Sequence, residues 1–407
     1  MLEPKRGAVM RAEWSELIDN LFFSKEAAEY LGISSQRLNQ LVHSGVLTPV
    51  KRSPSGSLFF KEHLDERAKA VKNIGKVLAK DESAGTIDMN TPFMNEVLNY
   101  YVIQRFHNYS DKKTEPVFAG LSRDIDMSQE FKYVSAEIAK RFGLSQQALG
   151  TAYDVVRRAF MRLSTDDLII KKGTAAYPRL LGMTQEAPPY LFLRGNISLL
   201  NEPIVSVVGS RKASNEGLLK AKKLAQLLGR EGIVVASGLA RGIDTAAHTS
   251  SLENGFLTIA VIGTSITEVY PKENERLQRE ISEKGLVVSQ FPPSTPTQRW
   301  HFPMRNAVMS GISLATVIVE ASETSGALRQ ADYALKQQRL VFIPQSALTN
   351  PNITWPRRYI EQRGAKKFAT IGELLRGLQE AEIIPSDSEQ LRLFSKGADW
   401  VDDQLLK

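Results

Sequence analysis

The chain has 407 residues, of which 42% are apolar and 24% charged, and its formal net charge is +7. This length predicts two or three domains, and the composition is typical of a globular protein that stays in solution. Cysteine is absent, which excludes disulfide bonds and thiolate metal sites. The five histidines are scattered, so we expect no metal and no cofactor. Since no apolar run matches a membrane span or a signal peptide, we expect a cytoplasmic protein with no membrane partner.

Residues 1–78 are predicted to form a winged helix-turn-helix module. A helix over 25–31 and a second helix reaching His43 precede a hairpin over 47–60 that turns at Ser53-Pro54-Ser55-Gly56. This order resembles the excisionase and MerR-type DNA-binding modules. The resemblance places base-reading side chains on the second helix and cations on the wing; these candidates for duplex DNA are Gln36, Arg37, Asn39, Gln40, Lys51 and Arg52. The alternative is a helical docking module with a solvated polar face.

Residues 79–172 are predicted to be a helical region with a second helix-turn-helix-like pattern. In this pattern a helix over 136–142 turns at Gly143 and a second helix reaches Phe160. Segments 81–91 and 111–116 are predicted polar connections. The aromatic-rich segment 93–107 is predicted to pack in a core rather than to stack on bases.

From about residue 200 onwards, apolar strands alternate with amphipathic helices. The predicted strands are 204–208, 233–236, 258–262, 286–289, 315–320 and 339–343, and the predicted helices are 215–230, 244–254, 273–284, 303–311 and 326–337. This alternation predicts an α/β fold, a doubly wound Rossmann-like parallel sheet covered on both faces, over residues 173–380. Residues 381–407 are then a C-terminal tail.

Two loops, 209–214 and 237–244, carry the strongest functional signal. Each follows a β-branched strand, contains glycine and one arginine, and opens a helix whose first N–H groups lack helical partners. Such loops favour phosphate, which guanidinium groups bind in bidentate fashion. The candidate phosphate-binding residues, which include two further helix starts, are Gly209, Ser210, Arg211, Lys212, Ser214, Ser237, Gly238, Arg241, Gly242, Arg305, Asn306, Ser325, Gly326 and Arg329. The alternative is that these arginines tie the loops to strand carbonyls.

The motifs over residues 175–370 resemble those of the DNA-processing protein A (DprA, or Smf) family. They include Tyr177-Pro178-Arg179-Leu180-Leu181, Tyr270-Pro271-Lys272-Glu273-Asn274, Phe302-Pro303-Met304-Arg305-Asn306 and Val319-Glu320-Ala321. The resemblance implies a Rossmann-like recombination mediator that binds single-stranded DNA in a positive pocket and helps to load a RecA-type recombinase during DNA uptake. The chain departs from the family pattern at Ala307-Val308-Met309, where relatives have another arginine, and at Arg329.

These observations predict a non-enzymatic, DprA-like protein that binds single-stranded DNA. We expect it to act either in recombination or in a phage-defence locus. In the second role its partner would be a toxin that it neutralises. The predicted partners are single-stranded DNA, duplex DNA at the N-terminal module, a RecA-type recombinase or a toxin, and a second copy of the chain. We predict no catalytic residues, and interpret Asp244 as a loop brace and His248 as a buried hydrogen-bonding residue. The alternative is a nucleotide-binding sensor or a phosphoribohydrolase-like enzyme, although the Pro-Gly-Gly-x-Gly-Thr motif of those hydrolases is absent.

Overall fold

The structure is a computed structural model that describes residues 20–31, 38, 42, 47, 49–53, 56–65 and 84–380. The predicted base-reading residues Gln36, Arg37, Asn39 and Gln40 lie outside the described residues, as does the predicted tail 381–407. Across the described ranges, no helix is both long enough and apolar enough to span a membrane.

The described residues of the N-terminal part include a small antiparallel sheet and a helix that follows its first strand. Its elements are β1 (Leu21–Phe23), α1 (Ser24–Leu31), β2 (Lys51–Ser53) and β3 (Gly56–Phe60), with strand order β1-β3-β2. The predicted hairpin is confirmed as the β2–β3 pair, while β1, which pairs with β3, was not predicted. The buried apolar residues that join these elements are Ala27, Ala28, Leu38, Val42, Leu47, Phe59 and Leu64.

A helical region follows, with elements α2 (Pro92–Phe106), α3 (Asp111–Leu121), α4 (Phe131–Phe142) and α5 (Gln146–Phe160). The core role of segment 93–107 is confirmed, because Tyr100 and Tyr101 are buried in α2. The polar loop predicted at 111–116 is wrong. Asp111 starts α3, and its carboxylate accepts hydrogen bonds from Tyr100 (2.9 Å) and Gln104 (2.6 Å), which hold the segment against α2.

The predicted turn between α4 and α5 is confirmed. Gly143 ends α4 in the left-handed conformation, with φ of 63°, a conformation that glycine adopts without steric cost. Ser145 then caps α5, because its hydroxyl accepts a hydrogen bond from the N–H of Ala148 at 3.1 Å. The first helix nevertheless starts at Phe131, five residues before its predicted start.

Ten strands form the large sheet. They are β4 (Ala84–Thr86), β5 (Asp167–Lys171), β6 (Tyr190–Gly195), β7 (Ile204–Gly209), β8 (Val234–Ser237), β9 (Thr258–Val261), β10 (Leu286–Ser289), β11 (Ala315–Glu320), β12 (Leu340–Pro344) and β13 (Lys366–Phe368). Their order is β13-β12-β11-β7-β8-β9-β10-β6-β5-β4. All neighbours from β13 to β10 are parallel, whereas β6, β5 and β4 continue the sheet antiparallel.

Helices cover both faces of this sheet. They are α6 (Arg179–Gly182), α7 (Asn215–Arg230), α8 (Ile243–Glu253), α9 (Glu275–Lys284), α10 (His301–Ile312), α11 (Gly326–Lys336), α12 (Trp355–Arg363) and α13 (Ile371–Glu380). One apolar cluster joins α10, α11 and α12 to the sheet, and a second joins α7, α8 and α13 to the other face. This is the doubly wound, Rossmann-like fold that the sequence predicts.

Two features of the sheet differ from the prediction. It is mixed rather than wholly parallel, and β4 and β5 come from the segment assigned to the helical region, so the division at residue 172 runs through the sheet. The order of strands along the chain reverses between β7 and β11. In open sheets of this kind, ligands bind outside the carboxyl ends of the strands near such a reversal.

Candidate nucleic-acid interface

A crevice of about 620 Å³ lies outside the carboxyl ends of β7, β8 and β9. Its charged lining residues are Arg211, Lys212, Arg241, Lys272, Glu273 and Arg305, and its aromatic ones are Tyr270 and Phe302. Five cations therefore face a single carboxylate among the described residues that line it. This balance favours an anionic ligand.

Gly242 brings the two predicted loops together. Its φ is +78°, and a Cβ atom at this position would collide with the carbonyl oxygen of Ser210. The N–H of Ile243 also donates to that oxygen, at 3.3 Å. Only glycine allows this approach, and the contact places Arg211 and Arg241 on the same rim of the crevice.

Arg211 and Lys212 are accessible cations of the rim. Both are exposed, and neither forms an ion pair in the part of the chain that the structure describes. The Arg211 guanidinium lies 5.9 Å from the centre of the Phe302 ring, a distance at which the cation and the ring attract each other. Arg211 is therefore oriented over the crevice without being neutralised.

Arg241 is exposed but already has an acidic partner. Its guanidinium forms an ion pair with the carboxylate of Glu273 across the crevice, and 64% of the Arg241 side chain remains accessible. A pair this exposed is weak. An incoming phosphate can therefore compete with Glu273 for the guanidinium.

Arg305 joins the crevice lining, as predicted, but its side chain is mostly buried. It is 5% exposed, and its Nη1 donates to the carbonyl oxygens of Gly238 and Val261, which follow β8 and end β9. A Cβ at Gly238 would lie 2.5 Å from the guanidinium. Burial lowers the pKa of Arg305 to about 10. The alternative interpretation holds here: Arg305 ties loops to strand carbonyls.

Carboxylates of the chain itself accept hydrogen bonds from backbone N–H groups of both loops. At α7, Glu320 accepts hydrogen bonds from the N–H of Ser214 (3.0 Å) and from its hydroxyl. At α8, Asp244 accepts from the N–H groups of Gly238 (3.1 Å) and Ala240 (3.3 Å), and burial raises the pKa of Asp244. These three N–H groups are therefore not free to hold a phosphate.

The remaining candidate residues fall outside the crevice lining. Ser237 is buried and donates to Val207 O at 2.6 Å, so its role is structural. Asn306 accepts from Arg305 Nε at 3.0 Å, Ser325 caps α11, and Gly326 and Arg329 are exposed. In the N-terminal part, Lys51 is exposed on β2 and Arg52 is a residue of the same strand.

Sequence reasoning left Lys272, Glu273, Tyr270 and Phe302 out of the candidate site. Lys272 and Glu273 belong to a turn that follows β9, between that strand and α9. The Tyr270 and Phe302 rings lie 5.0 Å apart. The signal that could have placed them is their presence in two of the quoted motifs, Tyr270-Pro271-Lys272 and Phe302-Pro303.

His248 is buried and makes a hydrogen bond with Thr258 Oγ1 at 2.8 Å, and burial lowers its pKa to about 3. It is therefore a neutral structural residue, in line with its interpretation from the sequence. Within the described ranges, no three histidine, aspartate or glutamate side chains are placed to hold a metal ion.

Comparisons with known proteins show to which family the chain belongs. The family model described as DNA recombination-mediator protein A matches residues 168–379, more than half of the chain. The chain belongs to that family. DNA processing protein DprA of Streptococcus pneumoniae is 42% identical over 191 residues, which are 47% of this chain and 67% of that protein. The Bacillus subtilis DprA is 35% identical over 208 residues, 51% of this chain and 70% of that protein.

A solved structure supports the same assignment. The X-ray structure of DprA from S. pneumoniae aligns with this recombination-mediator family member at 30% identity and a TM-score of 0.54. The alignment covers 70% of this chain and 96% of that one. The family match starts at residue 168, inside β5, and includes every strand from β6 to β13. All of the cations of the crevice therefore lie within the matched region.

Proposed function

We propose that the chain is a recombination mediator that binds single-stranded DNA in the crevice, through side-chain cations on the DNA backbone. The observation that carries the proposal is the lining of the crevice, in which Arg211, Lys212, Arg241 and Lys272 face one carboxylate, Glu273. Membership of the DNA recombination-mediator family supports a nucleic-acid ligand over another anion.

Single-stranded DNA fits this crevice better than a duplex. Proteins that bind single strands without sequence preference combine a positive groove with aromatic surfaces. The crevice has both, because Tyr270 is 51% exposed and packs beside Phe302 under Arg211. A duplex keeps its bases stacked inside and would leave these rings unused. Binding in the crevice is expected to depend little on sequence.

We further propose that the crevice does not catalyse a reaction. The buried groups nearest to it, Asp244 and Arg305, are engaged in holding loops, and His248 is neutral and buried. No nucleophile paired with a base faces the cavity among its described lining residues. The predicted recombinase, toxin and homodimer partners stay predictions.

The test is a titration of the full chain against a fluorescent poly-dT oligonucleotide at low salt, with fluorescence anisotropy as the readout. We expect binding whose affinity falls steeply with added salt, since phosphate neutralisation releases counterions. Failure to bind would contradict the proposal. Release of free base or sugar phosphate from a nucleotide, abolished in Arg211→Ala, would favour the enzyme alternative instead.

A further inference from the structure

A second concave surface lies on the far side of the Arg211–Lys212 loop from the crevice. This groove, of about 690 Å³, runs between α7 and α8. Its lining residues are Arg211, Lys212, Ala213, Asn215, Leu218, Leu219, Lys222, Gly242, Thr245, Ala246 and Thr249. Three of these are cationic and none is acidic, so every charged residue in the described lining of the groove is a cation.

The groove and the crevice share a common wall. Arg211, Lys212 and Gly242 lie in the loops that separate them, and the first two line both cavities. The two cavities thus adjoin each other across the Arg211–Lys212 ridge, which is itself cationic. A polyanion longer than the crevice would meet this ridge first and the groove next.

The floor of the groove is apolar, in contrast to its rim. Leu218 and Leu219 follow each other on α7, and Leu219 is 53% exposed. A single exposed leucine needs no explanation. Here, however, it lies in a concavity beside Lys222, which is exposed one turn further along the same helix. The surface therefore offers a cation and an apolar contact within one helical turn.

We propose that single-stranded DNA held in the crevice crosses the Arg211–Lys212 ridge and continues into the α7–α8 groove. There its phosphates contact Lys212 and Lys222, and its bases lie on Leu218 and Leu219. A single strand suits this surface because its unpaired bases expose apolar faces beside every phosphate, whereas a duplex exposes mainly phosphates. This inference rests on the function proposed for the crevice.

The proposal predicts that affinity depends on oligonucleotide length. A short strand fills the crevice alone, whereas a longer one gains the groove contacts as well. We suggest poly-dT probes of about 4 and about 16 nucleotides, the limits of typical single-strand sites. The variant Leu219→Ser/Lys222→Ala removes two exposed side chains of the groove, and Arg230→Ala removes an equal charge from the far end of α7 as the matched control.

We expect the double variant to bind the long probe roughly tenfold more weakly than the parent and the short probe equally well. With the long probe, the slope of log affinity against log salt concentration should be shallower for the double variant by about 0.7. This is the value for one lost phosphate contact on a single strand. Arg230→Ala should match the parent with both probes.

Two results would overturn the inference in distinguishable ways. If the double variant binds the long probe like the parent while Arg241→Ala weakens both probes, the groove assignment is wrong and the crevice function stands. If the parent binds neither probe, both the groove assignment and the proposed function fail. Equal weakening of both probes in the double variant would also contradict a separate groove contact, provided that circular dichroism shows an unchanged fold.

Discussion

The carboxylate of Glu320, at the end of β11, accepts a hydrogen bond of 3.0 Å from the backbone N–H of Ser214, the residue that caps α7. The two residues are 106 positions apart in the chain. The contact places a negative group of the chain where the sequence predicts a phosphate. The positive end of α7 is therefore neutralised from within. The proposed function accordingly assigns DNA binding to the side chains of Arg211, Lys212, Arg241 and Lys272.

The contact between Glu320 and Ser214 is predicted to stabilise the folded protein. Glu320→Ala and Ser214→Ala should each lower the free energy of unfolding by about 1 kcal/mol, because each removes a capping contact of α7. In a double-mutant cycle measured by urea unfolding, the two changes should be coupled by about 0.5–1.5 kcal/mol. Glu361→Ala, on the exposed face of α12, is the control. Strict additivity of the two changes would show that the contact contributes nothing.

The sequence was sufficient to predict the parallel part of the sheet from β12 to β10. Strands such as β7 and β11 are runs of β-branched residues, which favour buried parallel strands. The short strands β4 and β13 have only three residues each and form by pairing with a neighbour, so no local pattern marks them. The Glu320–Ser214 contact escaped prediction for a similar reason, since two residues so far apart carry no local signal of their proximity.

Arg305 is predicted to be a determinant of stability. Arg305→Met should lower the free energy of unfolding by about 3–5 kcal/mol, because it leaves the Gly238 and Val261 carbonyls without their donor and Asp244 without a compensating charge. Arg329→Met, at an exposed arginine on α11, should change stability by less than about 0.5 kcal/mol. An Arg305→Met protein with the stability of the parent and a selective loss of DNA binding would instead make Arg305 a ligand of the DNA.

The burial of His248 predicts that the stability of the protein depends on pH. Burial, with the nearby charge of Arg305, lowers its pKa from 6.5 to about 3, so below pH 6.5 the unfolded chain binds a proton that the folded chain does not. Stability contributed by neutral His248 is thus present above pH 6.5 and lost as the pH falls toward 3. Relative to His248→Gln, the parent should lose up to about 1.4 kcal/mol per pH unit in that window.

The comparison with His248→Gln is needed because the protonation of another group, Asp111, changes the stability in the opposite direction. Burial raises the pKa of Asp111 to about 6, so its protonation favours the folded state as the pH falls below 6. The difference between parent and variant cancels this contribution. Urea unfolding at several pH values measures it, and parallel curves for the two proteins would show that His248 titrates equally in both states.

A substitution at Lys51 tests whether the N-terminal module contacts duplex DNA. If the β2–β3 hairpin is a wing that contacts duplex DNA, Lys51→Glu in the full chain should weaken duplex binding by roughly three- to tenfold, since it reverses one phosphate contact. Single-strand binding should not change, because Lys51 is not part of the crevice. Lys25→Glu, exposed on α1, is the charge-matched control. Equal duplex affinities for parent and Lys51→Glu would favour the docking-module alternative.

The candidate site was only partly predictable for a physical reason. A pattern of glycine and arginine after a strand marks a loop at the carboxyl edge, and this placed Arg211 and Arg241 correctly on the crevice lining. The same pattern gives no information on which guanidinium turns inward. Arg305, which lies within α10, is instead buried against two carbonyls, because its direction is set by the packing of α10 on β7 and β9.

The ion pair between Arg241 and Glu273 gives the most direct test of the central claim, because its two partners should have opposite effects on single-strand binding. Arg241→Ala removes a cation that we assign to a phosphate, and Glu273→Gln frees that cation from its only carboxylate in the described crevice lining. By anisotropy with poly-dT, we predict that Arg241→Ala binds more weakly and with a shallower salt dependence, and that Glu273→Gln binds more tightly than the parent. Unchanged affinity in both variants would contradict the crevice as the DNA site.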